Sequence, residues 1–230
     1  MKRTKMMVTC GVGSAVFLLL LVASAVAWAN PPKAVAPIFQ EGARWHFEGK
    51  METSNCVGPI EGWVCDDVCC SLEEAFEMRC RVVEVQSTKG TWMSRIACVG
   101  APTSVIGRTP ADLVAGCWRF DKKGLHHLAE CGALDEEATK ALTAAPLLLP
   151  NKLKKRDWPK CKDPNECQRS RLLQESGQWC FEEEMAGGDS LLERRCFVDD
   201  KAVSEGSFDF GGGTSSKASF SLREFTPPKK

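Results

Sequence analysis

The chain carries FEMRCRVVEVQSTKGTWMSRIACV at residues 76 to 99, and this segment reads as a β-hairpin. Phe76, Met78, Cys80 and Val82 alternate with Glu77, Arg79 and Arg81, the period-two pattern of a half-buried strand. Thr88-Lys89-Gly90 supplies a three-residue loop, with Gly90 where a positive φ is needed. Pivoting the pairing on Lys89 sets Cys80 opposite Cys98, both on the apolar face, where a disulfide would staple the hairpin from inside.

Working outward, the second half echoes this arrangement. Gln178-Trp179-Cys180-Phe181 opens a strand, Gly187-Gly188-Asp189 turns it, and Ser190 to Asp199 returns. A pivot on Gly188 sets Cys180 opposite Cys196 and Glu182 opposite Arg194, a favourable cross-strand pair. Cys80 shares its face with apolar residues and Cys180 shares its face with Glu182 and Glu184, so the two hairpins form at most a weak internal repeat.

Further strands are expected at Ala43–Lys50, Gly116–Phe120 and Leu125–Leu128. A final hairpin joins Gly206–Phe210 to Ala218–Leu222 through Gly211-Gly212-Gly213. Ser71-Leu72-Glu73-Glu74 fits a capping box for one helical turn. Thr109 caps a short helix that starts at Pro110. Asp135–Ala145 is the best helix, with an acidic first turn and Pro146 as its stop. The expected fold is mostly β, antiparallel hairpins or a meander with one or two short helices, disulfide-rich and α+β at the margin.

The 230 residues hold 13 cysteines and no tyrosine, for which there is no physical account, and 30 basic residues balance 30 acidic ones. That balance gives no global field toward nucleic acid. Lys2, Arg3 and Lys5 precede a long apolar run, and Ala27-Trp28-Ala29 is a small-residue cleavage site, so residues 1–29 read as a signal peptide. The run from residue 6 to 29 is also long enough to be a retained membrane anchor. Either way the remainder is exported, periplasmic or secreted. Removing Cys10 leaves twelve cysteines, an even number that suits a disulfide framework. The expected domain layout is a Pro-rich flexible lead-in at 30–40, a single β-rich domain at 41–226 and a disordered tail at 227–230. The domain divides into two similar halves, 41–145 and 167–226, joined by a basic loop at 146–166.

Beyond the 80–98 and 180–196 pairs, Cys56, Cys65, Cys69, Cys70, Cys117, Cys131, Cys161 and Cys167 are expected to pair in a connectivity the sequence leaves open. Adjacent Cys69 and Cys70 are expected to reach different partners. No C-x-x-C is present for zinc or redox chemistry, and no cofactor or metal is expected. Asp66-Asp67 and Asp199-Asp200 lack calcium-loop spacing. His46, His126 and His127 have no nucleophile signature beside them, so no catalytic residue is assigned. Lys152, Lys154, Lys155, Arg156, Lys160 and Lys162 form the one local charge asymmetry, a solvated loop or a contact for an anionic surface.

Amphipathic hairpins at 76–99, 116–128, 179–198 and 208–225, with helix 135–145 behind an export signal, resemble the half-barrels of periplasmic lipoprotein carriers and related lipid-binding envelope proteins. The resemblance implies an apolar concave face for an acyl chain, and the dense cysteines depart from its pattern. Three functions follow as expectations: a non-enzymatic exported protein binding a partner or envelope component, a carrier of a lipid or other apolar ligand, or a secreted hydrolase. The carrier requires an apolar cavity between sheet and helix.

Overall fold

Alternation of inward apolar and outward polar side chains runs along the long strands of the computed structural model. It describes residues 30–229 apart from 57–60, 66–68, 105, 162, 164–166, 187–189 and 213. The expected signal or anchor, Cys10, Asp66-Asp67, Lys162 and the Gly187-Gly188-Asp189 turn lie outside the described residues. The strands are β1 (Arg44–Asn55), β2 (Val64–Cys65), β3 (Cys70–Thr88), β4 (Thr91–Val99), β5 (Gly116–Phe120) and β6 (Gly124–Leu128). They continue as β7 (Leu147–Pro150), β8 (Cys167–Glu175), β9 (Gln178–Ala186), β10 (Ser190–Val198), β11 (Ala202–Gly211) and β12 (Thr214–Thr226). One α-helix, α1 (Glu136–Ala144), and 3-10 turns at Ala36–Phe39 and Pro110–Leu113 complete the described elements.

All pairings are antiparallel, in the order β7-β6-β5-β4-β3-β1-β12-β11-β10-β9-β8, with β2 appended to β3. The first strand therefore sits at the centre, flanked by β3 and by the last strand. The two edge strands are β7 and β8. The sheet forms a nearly closed barrel, and Arg156 and Leu172 exchange both backbone hydrogen bonds at 2.9 Å, a one-residue bridge on the free edge of β8. Within 146–166, expected as a basic loop between halves, Leu147–Pro150 form β7 and Arg156 bridges to β8.

The 76–99 hairpin departs from its expected turn in an instructive way. Thr88 pairs with Thr91, leaving a two-residue loop of Lys89 and Gly90 with φ +47° and +80°. Positive φ at both positions is the type I′ geometry that matches strand twist. A bulge between Val82 and Glu84 then shifts the register by one residue. Loop and bulge offset each other, and Cys80 still faces Cys98.

Other expectations give way to tertiary context. Ser71–Glu74 is strand and not a helical turn, because β1 runs to Asn55 and its whole length pairs with β3, Thr53 opposite Leu72. Residues 167–175 form a full strand beyond those expected from the sequence. The lead-in at 30–40 packs against the barrel: Val35 and Ile38 are fully buried and Phe39 nearly so. It folds back as a 3-10 turn inside the barrel mouth, where burial of three apolar side chains outweighs the entropy of ordering it.

The barrel interior is filled. Phe47, Trp118, Phe181, Phe197, Met78 and Leu125 are all buried and belong to one cluster with Ile38 and Leu113 from the two 3-10 turns. Gly49 faces Phe76 on one side and Phe220 on the other; a Cβ there would lie 2.5 Å from the Phe76 ring. Helix α1 packs on the opposite, outer face: Leu142 and the preceding Leu134 meet Met93 and Cys117 in a separate small cluster. Its N-cap Asp135 accepts from the Ala138 amide at 2.8 Å, as the sequence indicates.

Candidate functional site

All twelve described cysteines are bonded. Cys80–Cys98 and Cys180–Cys196 link facing strands, and the remaining bonds are Cys56–Cys69, Cys65–Cys70, Cys117–Cys131 and Cys161–Cys167. Cys69 and Cys70 reach separate partners. The grouping of Cys180, Cys196 and Glu205 is no ligand set, because its two sulfurs are joined to each other. Six disulfides fit an oxidising compartment outside the cytoplasm.

The histidines are held apart. His46, on the outer face of β1, meets Glu77 at 3.2 Å. His126 and His127 are adjacent on β6 and so point to opposite faces of the sheet. His126 Nδ1 contacts the Ala145 carbonyl at 2.9 Å, and His127 Nε2 donates to the Ala115 carbonyl at 2.7 Å. His127 also stacks on Trp118, with ring centroids 4.1 Å apart. Burial, reinforced by the Arg195 cation, pushes its pKa down to about 3, so it stays neutral as a structural donor. Both buried histidines are more enclosed than surface or half-buried side chains would be.

Arg195 enters the interior from β10. It is 8 % exposed, bonded to Glu193 at 2.8 Å, and Arg108 approaches the same carboxylate at 3.4 Å. Burial lowers the Arg195 pKa, opposed chiefly by the Glu193 carboxylate. The arrangement is a compensated buried ion pair.

The described part of the basic segment expected as an anionic contact lies along β8. Lys152, Lys154, Lys155, Arg156 and Lys160 are exposed. Arg156 donates to the Ser170 hydroxyl at 3.0 Å, and Trp158 lies under the guanidinium groups of Arg169 and Arg171 at 5.0 and 4.8 Å. These contacts fasten the segment to β8, which gives it a structural task of its own.

A different cationic surface has no such task. On the outer face of β1, β3, β4 and β12 a groove of about 600 Å³ is lined by Arg44, Arg79, Arg81, His46, Val99 and Glu224, among others. Arg44 and Arg81 are direct cross-strand partners, and His46 faces Arg79 one step along. Like charges placed directly opposite destabilise a strand pair. Among the described residues neither Arg44 nor Arg81 has an ion pair, whereas Arg79 reaches Glu77 at 3.4 Å. Ala97 faces Arg81, and Val99 faces Arg79 and is 69 % exposed. The sequence does show Arg79 and Arg81 on the polar face of β3. Arg44 joins them only through the β1–β3 register, which no local signal specifies.

No protein-family model matches the chain, and no curated protein matches it. Among the described residues no helix is long and apolar enough to cross a membrane.

Proposed function

We propose that the protein is an exported, non-enzymatic binding protein that holds an anionic component of the cell envelope in the groove of Arg44, Arg79 and Arg81. One observation carries the reading: two arginines are held directly opposite each other, and neither has an ion pair among the described residues. The fold gains nothing from that repulsion, and an anionic partner would relieve it. Separated histidines, two of them spent on backbone carbonyls, support the non-enzymatic side of the reading. The carrier alternative loses support from the interior, because aromatic side chains and the 3-10 turns occupy the space an acyl chain would need.

The test is the double variant Arg44→Thr/Arg81→Thr. Removing the opposed charges should raise stability by a few tenths of a kcal/mol, measured by urea unfolding. The same change should abolish salt-sensitive retention on anionic vesicles relative to neutral ones. A variant that retains binding would refute the proposal.

A further inference from the structure

Resting on that groove as the binding site, we infer that its ligand is a phosphate monoester displayed at a lipid surface. The charge count points there first. Arg44 and Arg81 bring two positive charges that have no ion pair among the described residues, and Glu224 lies in the groove opposite His46. Glu77, at its border, is already engaged by His46 and Arg79. The two guanidiniums left without an ion pair match a phosphate monoester, which carries about −1.5 to −2 at neutral pH. A carboxylate or phosphodiester brings only one.

Donor geometry points the same way. One planar guanidinium fork satisfies a carboxylate through two parallel bonds. Here two forks without partners project from directly facing positions on β1 and β3, with Arg79 two residues further along β3. They offer more N–H groups than two oxygens accept, and the three terminal oxygens of a monoester use the excess.

The apolar margin separates a lipid source from a soluble phosphate. Val99 and Ala97 extend the groove past the arginines on β4, and exposed Val99 gives an acyl-proximal part of a headgroup something to cover. The lead-in also meets the barrel at this end. The Gly42 amide donates to the Val82 carbonyl at 3.2 Å, and the Val82 amide donates to Ala43 at 3.0 Å, one residue from both Arg44 and Arg81. The chain that follows the apolar run of residues 6–29 therefore joins the barrel beside the groove.

The experiment compares the full oxidised protein with Arg44→Thr/Arg81→Thr, so that any contribution from the N-terminus is common to both. Neutral phosphatidylcholine vesicles are doped to equal surface charge with phosphatidic acid, phosphatidylglycerol or a fatty acid, and binding is measured by flotation. Wild type should bind the phosphatidic acid vesicles at least about tenfold more tightly than the other two, a difference of about 1.4 kcal/mol, and the variant should lose that preference. Soluble glycerol phosphate and inorganic phosphate should fail to displace the protein at millimolar concentration. Equal binding to all three anionic vesicles overturns the monoester inference and leaves the anionic groove standing. Displacement by soluble phosphate overturns the lipid source. Identical behaviour of wild type and variant on every vesicle overturns the groove itself. Thermal unfolding of the variant, expected to be no lower than wild type, separates lost binding from lost folding.

Discussion

Replacing His127 with glutamine should flatten the acid limb of the stability profile. The imidazole is 6 % exposed, stacked on Trp118 and close to the Arg195 cation, and its pKa is pushed down to about 3. In the unfolded chain it returns to about 6.5. Above pH 6.5 both states are neutral and the contribution is present in full. As pH falls from 6.5 toward 3 the unfolded state takes up a proton that the folded state refuses, so stability is lost in that window. The slope is about 1.4 kcal/mol per pH unit, or about 2.7 kcal/mol by pH 4.5. Glutamine keeps a donor for the Ala115 carbonyl but cannot titrate, and its packing defect against Trp118 is the same at every pH. Urea midpoints of wild type and His127→Gln at pH 7.5 and pH 4.5 give the difference directly. The wild type should lose roughly 2–3 kcal/mol more than the variant over this span. Equal losses, or a His127 ring proton titrating near its ordinary value by NMR, would refute the reasoning.

The remaining expectations concern the scaffold. Replacing Cys80 and Cys98 with serine opens a link spanning 18 residues and should lower stability by about 3 kcal/mol, read as a drop in urea midpoint. Gly49→Ala forces a methyl against the Phe76 ring and the Ser219 carbonyl, each 2.5 Å away, and should cost about 1–3 kcal/mol by the same assay. Ile38→Ala empties a fully buried position in the barrel mouth and should cost about 2–5 kcal/mol. An Ile38 variant as stable as wild type would show that residues 30–40 do not contribute to the core.

The sequence exposed what local chemistry controls. Alternation located most strands, Asp135 and Pro146 bounded the helix, and Thr109 with Pro110 marked a capped turn whose Thr109 hydroxyl and Asp112 carboxylate bond as a capping box. The missed features are set by distant neighbours. Residues 30–40 look like a linker because Pro and Ala dominate them. Only the closed barrel gives Val35, Ile38 and Phe39 a place to be buried. Strand β8, QRSRLLQE after Cys167, carries arginines whose partners Glu182 and Glu184 lie on β9, so its strand character depends on that pairing. The groove was hidden for the same reason, since Arg44 and Arg81 are brought together by register alone.

The six disulfides each join cysteines 5 to 18 residues apart. Yet the contact that completes the sheet joins β1 to β12, as where Thr53 meets Ser216, 163 positions away. Oxidation can therefore follow the chain in the order it emerges, each bond closing within a short span, with only Cys56–Cys69 and Cys65–Cys70 interleaved. Zipping the first strand to the last must wait for the C-terminus, and no covalent link assists it. A denatured but fully oxidised molecule remains an extended string of small loops, hydrodynamically close to the reduced chain. What oxidation leaves undone is conformational, the pairing of β1 with β12.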